Sequence, residues 1–362
     1  MYQPARLPSL DGWRAVAIAL VVLGHFEASR GFPPSSWWHQ VFQSNLGVRI
    51  FFVISGLLIT YLLLLEAERR GRPSLRSFYA RRVLRIFPVY FLYLAVVLGL
   101  AGAGLYVDTP GAWIGSLTFT RNFIGQNQSL TGHYWSLAVE EQFYLVWPVT
   151  LVAFGLWQRR RLAAALLLIP VVLCPLIRAD AITDHVSSPL IHRALNFYSI
   201  ARYADSLAVG CLGAFAYLKY RARIRSAPPW TSGAALAVLV LAAAADGRAG
   251  AFEPVIPLVE AIAVLFAIGL TVEQRSGLLY QALNAPVVVW LGILSYSLYV
   301  WQELFIAWSA GPKLSALPVY DWRVWWIGAL VCACGSYYLV ERPILRIRDR
   351  YRRVNLPRAG AL

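Results

Sequence analysis

Runs of about 20 mostly apolar residues recur from one end of the chain to the other, and they constrain the fold more than any other feature. A helix needs such a run to cross a hydrocarbon core, because each residue rises about 1.5 Å and lipid cannot satisfy exposed backbone groups. About ten runs qualify by length, near residues 9–28, 44–65, 86–105, 136–157, 161–177, 203–218, 230–245, 254–270, 287–308 and 323–340. The stretch 112–124 is amphipathic and suits the bilayer surface. Hydrophobic residues make up 59% of the chain and charged residues 14%, against about 25% charged in an ordinary globular domain, which argues against a soluble enzyme. The expected fold is therefore all-α: a polytopic bundle of about ten transmembrane helices over residues 1–345, with a basic tail at 346–362.

A net charge of +15 would suggest nucleic acid if it lay on a water-facing surface. Here the positive residues fall between apolar runs, so the expected partner is the bilayer and no nucleic acid is expected. Counting turns from the N-terminus, one side of the bundle carries 23 of the 33 Lys and Arg and the other side seven. Cytoplasmic loops retain Lys and Arg, so both termini are assigned to the cytoplasm of a multi-pass protein in the inner or plasma membrane. Asp11 and Arg14 interrupt the first apolar run and no small-residue cleavage site follows, so that run is not read as a signal peptide. Cys174, Cys211, Cys332 and Cys334 fall in or beside apolar runs and read as small hydrophobes, with no disulfide framework and no metal site expected.

Ionisable residues inside apolar runs are costly and by default mark function. Arg14 and His25 are eleven residues apart, which on a helix is about 20° in azimuth and about 16 Å along the axis, so they share a face. Asp11 lies one turn before Arg14 and can pair with it. Imidazole suits general-base work near neutral pH, making His25 a catalytic candidate beside the bland reading of a ring bonded to a carbonyl. The fourth run opens His133, Tyr134, Trp135, Ser136 and continues to Glu140 and Glu141. Ser136, Glu140 and Tyr144 form one stripe, and either glutamate could orient the His25 imidazole; the alternative is an anion at a helix N-terminus. Arg82 and Arg85, one turn apart, can grip one phosphate-bearing group or anchor the chain to headgroups. Arg202 and Asp205 at i, i+3 form either a buried structural pair or an acceptor-binding pair. Ser55, beside Gly56, reads as a packing residue.

The chain resembles the acyltransferase-3 family of polytopic membrane acyltransferases. The resemblance rests on SLDGWRAVAIALVVLGH with Arg14 and His25, GVRIFFVISGLLIT, the R-x-x-R element at Arg82 and Arg85, and HYWSLAVEEQFYLVWP. It continues through the Arg202/Asp205/Gly210 segment, LGILSYSLYVWQ at 291–302 and Glu341-Arg342-Pro343. It implies transfer of an acyl group, usually acetyl, from acyl-CoA to a hydroxyl of a carbohydrate, glycolipid or cell-envelope glycan. It implies that His25 is essential, that Arg14, Arg82 and Arg85 handle the donor, and that the WSLAVEEQFY element lines the site. Trp13 and Ala15 stand where Leu and Gly are common, and Gln302 where many relatives have His, so no catalytic weight is placed on the tail of that helix. Many members carry a further hydrolase-like domain, and none is expected in these 362 residues.

Arginines on one side and His25 on the other imply a donor that spans the gap: nucleotide phosphates on Arg82 and Arg85, a pantetheine arm beside Arg14, a thioester near His25. Direct attack by the acceptor and a transient acyl-histidine are both open, as are Ser136, Tyr134 or a backbone N–H for the oxyanion. The competing function is a transporter or flippase for a glycan or lipid-linked sugar, because buried charges also mark transport paths.

Overall fold

The computed structural model describes residue 7 and residues 9–33, 37–124, 129–179, 200–228 and 230–346. Among them every regular element is helical, and the one extended pairing is a parallel bridge between Arg30 and Asp321. Helices α1 (Leu10–Gly24), α2 (Ser44–Arg70), α3 (Leu75–Gly102), α4 (Pro110–Thr118), α5 (Tyr134–Ala153) and α6 (Arg160–Arg178) precede α7 (Ile200–Arg225), α8 (Trp230–Ala245), α9 (Ile256–Glu273), α10 (Pro286–Gln302) and α11 (Trp325–Ser336). The apolar runs fall on these helices, with α4 inside the amphipathic stretch. Residues 180–199 and the tail beyond Arg346 lie outside the described residues.

Five segments among the described residues are long and apolar enough to cross a membrane: Ser44–Arg70, Leu75–Gly102, Arg160–Arg178, Gly250–Glu273 and Pro286–Phe305. Of the remaining runs, the first and the last are interrupted as α-helix for a local reason. The first run tightens into a 3₁₀ turn at His25–Ala28, and the last widens into a π-helical turn at Tyr337–Glu341. Both departures fall at polar positions, as is common for such irregularities. The π-turn brings Glu341 to the hydroxyl of Ser297, 3.0 Å away.

Local chemistry sets the helix ends. Gly71, at φ 78°, ends α2 in the left-handed conformation that glycine adopts without steric cost. Ser74 then caps α3 by accepting from the backbone N–H of Ser77 at 3.3 Å. Thr109 caps α4, with Pro110 at the first helical position.

Small residues let backbones approach where lipid supplies no hydrophobic drive between helices. A Cβ on Gly56 would collide with the Leu207 carbonyl, and one on Gly292 with the Asp11 carbonyl. These approaches seat α2 on α7 and α1 on α10. Large apolar side chains such as Leu145, Val172, Leu241, Phe266 and Val331 point outward, an exposed apolar surface that suits lipid rather than water.

Candidate active site

Five helices enclose a cavity of about 90 Å³, lined by Arg14 of α1, Ser55 of α2, Arg82 and Arg85 of α3, Glu140 of α5 and Tyr299 of α10. Arg14 donates to Asp11 at 2.9 Å one turn away. Arg82 and Arg85 have no carboxylate partner among the described residues. Arg82 stacks its guanidinium over the Tyr144 ring at 4.3 Å and the Phe78 ring at 5.7 Å. Three arginines against the Asp11 and Glu140 carboxylates leave the cavity net positive, and so anion-seeking. Its volume is below the about 300–1,000 Å³ of small-molecule sites, so a ligand must part its walls.

Glu140 accepts from Ser55, which also lies 2.9 Å from the Tyr144 hydroxyl. Ser55 therefore packs beside Gly56 and also anchors the carboxylate. At the other end of the cavity, Ser136 meets the Tyr299 hydroxyl at 2.5 Å, and Tyr299 donates to the His133 carbonyl at 3.2 Å. One turn further along α10, the Gln302 amide oxygen stands 3.4 Å from Nδ1 of His25. His25 itself does not line the arginine cavity; it is held by Gln302, one turn of α10 beyond the cavity residue Tyr299.

The family model described as an acyltransferase domain matches residues 7–341. The chain belongs to this acyltransferase family. It is 28% identical over 93% of its length to YrhL of Bacillus subtilis, whose name assigns it provisionally to peptidoglycan O-acetylation. It is 27% identical over 95% of its length both to O-acetyltransferase OatA of Staphylococcus aureus and to peptidoglycan O-acetyltransferase OatA of Listeria monocytogenes. The chain spans 55%, 58% and 56% of those relatives. No solved structure matches it significantly.

The acyltransferase fold revises how His25 is oriented. Glu140 and Glu141 do not reach the imidazole; Gln302 does. Glu140 lies seven residues beyond His133, about 10 Å deeper along α5, at the level of Ser55. Glu141 does not line the cavity and turns toward the field of Arg82. The tail of the 291–302 element, given no weight from sequence, holds the contact to His25; a lone polar Gln at the end of an apolar run was the available signal.

His133 is buried with neither ring nitrogen bonded, and its Nδ1 lies 4.0 Å from Glu303, which accepts from Ser309. Tyr134 stacks on Tyr90 at 4.0 Å and donates to its carbonyl at 2.8 Å, which commits that hydroxyl to the fold. Trp135 packs edge-on to Phe52 and tilted on Tyr203. Arg202 and Asp205 lie away from the arginine cavity, and Asp205 pairs with Arg178 at 2.6 Å. Sequence spacing did not single out Arg178, because its pairing joins α6 to α7. Among the described residues no cluster of three His, Cys, Asp or Glu could hold a metal, and the four cysteines are free.

Proposed function

We propose that this chain is a multi-pass plasma-membrane O-acyltransferase that moves an acyl group, acetyl in the first instance, from acyl-CoA to a hydroxyl of a cell-envelope glycan. In this reading about ten helices span the bilayer, both termini are cytoplasmic, and Arg82 and Arg85 face the cytoplasmic half. The observation that carries it is the shared cavity: Arg14, Arg82 and Arg85 at one end, and Ser136 and Tyr299 at the other, one turn of α10 from the residue that holds His25. Family membership and the O-acetyltransferase names of the relatives support the reaction class.

Arg82 and Arg85 grip donor phosphates through charge-assisted hydrogen bonds, and Arg14 lines the route of the pantetheine arm. An amide oxygen only accepts, so Gln302 selects the tautomer with the proton on Nδ1 of His25 and leaves Nε2 as base. Nε2 takes the proton of the acceptor hydroxyl while its oxygen attacks the thioester carbon. The carbon–sulfur bond breaks, the thiolate takes the proton from His25, and free coenzyme A and the O-acyl ester remain. Either hydroxyl of the Ser136–Tyr299 pair can donate to the oxyanion only by exchanging its present bond to its neighbour or to the His133 carbonyl.

The test is release of coenzyme A from acetyl-CoA by purified protein in nanodiscs, with and without extracted envelope glycans. The wild type should show glycan-dependent release that His25→Ala reduces by about a hundredfold or more. Folded protein that releases none, and is not thermally stabilised by coenzyme A, would overturn the reading.

A further inference from the structure

A second polar cavity, of about 420 Å³, lies between the N-terminal turns of α2 and α7, the end of α6 and the 246–257 segment. Its walls include Asn45, Arg49, Tyr203, Asp205, Asp246 and Glu253. Its volume falls within the about 300–1,000 Å³ of small-molecule sites. One ion pair builds the frame. Arg178 donates to Asp205 at 2.6 Å, to the Arg202 carbonyl at 2.6 Å and to the Pro254 carbonyl at 2.8 Å, tying three segments around the opening.

Groups not used by the frame line the cavity. Asn45 and Arg49 are four residues apart and share a face of α2. Among the described residues, the Asn45 amide has no hydrogen-bond partner. Arg49, nine-tenths buried against Glu260, has an Nε donor with no partner. Asp246 adds a carboxylate and Tyr203 an aromatic face. Arginines and carboxylates are balanced here, unlike the cationic cavity of Arg14, Arg82 and Arg85, so the chemistry favours an uncharged ligand rich in hydroxyls. A sugar hydroxyl both donates and accepts, and an amide, a guanidinium and a carboxylate beside an aromatic ring match that alternation.

The cavity is also placed to serve the reaction. Tyr203 lines it, Phe52 lines the arginine cavity, and their rings touch at a centroid distance of 5.9 Å. Asn45 follows Ser44, which packs directly on Gly24, the residue before His25. We infer that this cavity is the acceptor site of the transferase, taking an uncharged, hydroxyl-rich glycan, with Asn45, Arg49 and Asp246 bonding its hydroxyls; this rests on the acyltransferase reading above.

Binding of an N-acetylglucosamine trimer to protein in nanodiscs, read by titration calorimetry, tests the cavity without requiring turnover. Asn45→Ala and Asp246→Ala should each weaken binding about tenfold, whereas Arg82→Ala should leave it unchanged. The Asn45 side chain supports nothing else in the fold, so melting of that variant should match wild type. Absence of trimer binding to wild type, or equal affinity in both cavity variants, would overturn the assignment. Thermal stabilisation by coenzyme A is measured alongside: trimer binding lost in the variants, with no coenzyme A response in wild type, would overturn the donor reading and leave the glycan site standing.

Discussion

Nδ1 of His25 stands 3.4 Å from the amide oxygen of Gln302, and among the described residues no carboxylate is hydrogen-bonded to that imidazole. An acceptor on Nδ1 fixes the tautomer and the plane of the ring. Gln302→Leu should therefore lower the rate of acetyl transfer by about a hundredfold through misplacement of the base, with the KM for acetyl-CoA unchanged. Gln302→His, which restores a polar ring nitrogen, should recover much of the rate. Steady-state release of coenzyme A checks both; equal rates in the Leu and wild-type proteins would remove Gln302 from the mechanism.

Arg82 and Arg85, one turn apart on α3, share the cavity with Arg14 and have no carboxylate ion-pair partner among the described residues. Replacing both by alanine removes like-charge repulsion from the empty protein and phosphate contacts from the donor complex. The dissociation constant for coenzyme A should rise about tenfold or more per arginine, while the melting temperature holds or rises. Unchanged donor affinity in the double variant would sink the phosphate assignment.

Periodicity exposed the helices because about 20-residue apolar runs have one solution in lipid, and the Asp11–Arg14 pair was legible because both residues lie within one turn. The shared stripe of Ser136, Glu140 and Tyr144 was legible for the same reason, and all three line the arginine cavity. What spacing along one helix cannot encode is depth across two. Glu140 and His25 belong to different helices, and their levels differ, so a carboxylate that looked available to the imidazole belongs to Ser55 instead. Arg178 with Asp205, and Arg49 with Glu260, were hidden likewise, because each pair joins segments 27 and 211 residues apart.

Ser55 holds both the Glu140 carboxylate and the Tyr144 hydroxyl. Ser55→Ala barely changes volume but strips the buried Tyr144 hydroxyl and the half-buried Glu140 carboxylate of a partner. The cost should be about 1–3 kcal/mol, seen as a lower melting temperature in nanodiscs, and Ser55→Thr should recover part of it. If Ser55 were a packing residue alone, the alanine variant would melt with wild type.

Arg178 joins α6, α7 and the 246–257 segment through one guanidinium. Arg178→Ala leaves Asp205, whose other oxygen is bonded by the Ser206 N–H at 2.8 Å, as a buried charge without its cation. Breaking one partner of a buried pair costs about 3–5 kcal/mol, whereas replacing both with apolar residues of similar size is often near neutral. The single variant should thus melt well below wild type, and Arg178→Met combined with Asp205→Leu should recover most of that loss. Recovered folding without recovered trimer binding would separate the frame's contribution to stability from its contribution to the cavity. A double variant as unstable as the single one would mean that the Arg202 and Pro254 carbonyl contacts, rather than the ion pair, hold these segments together.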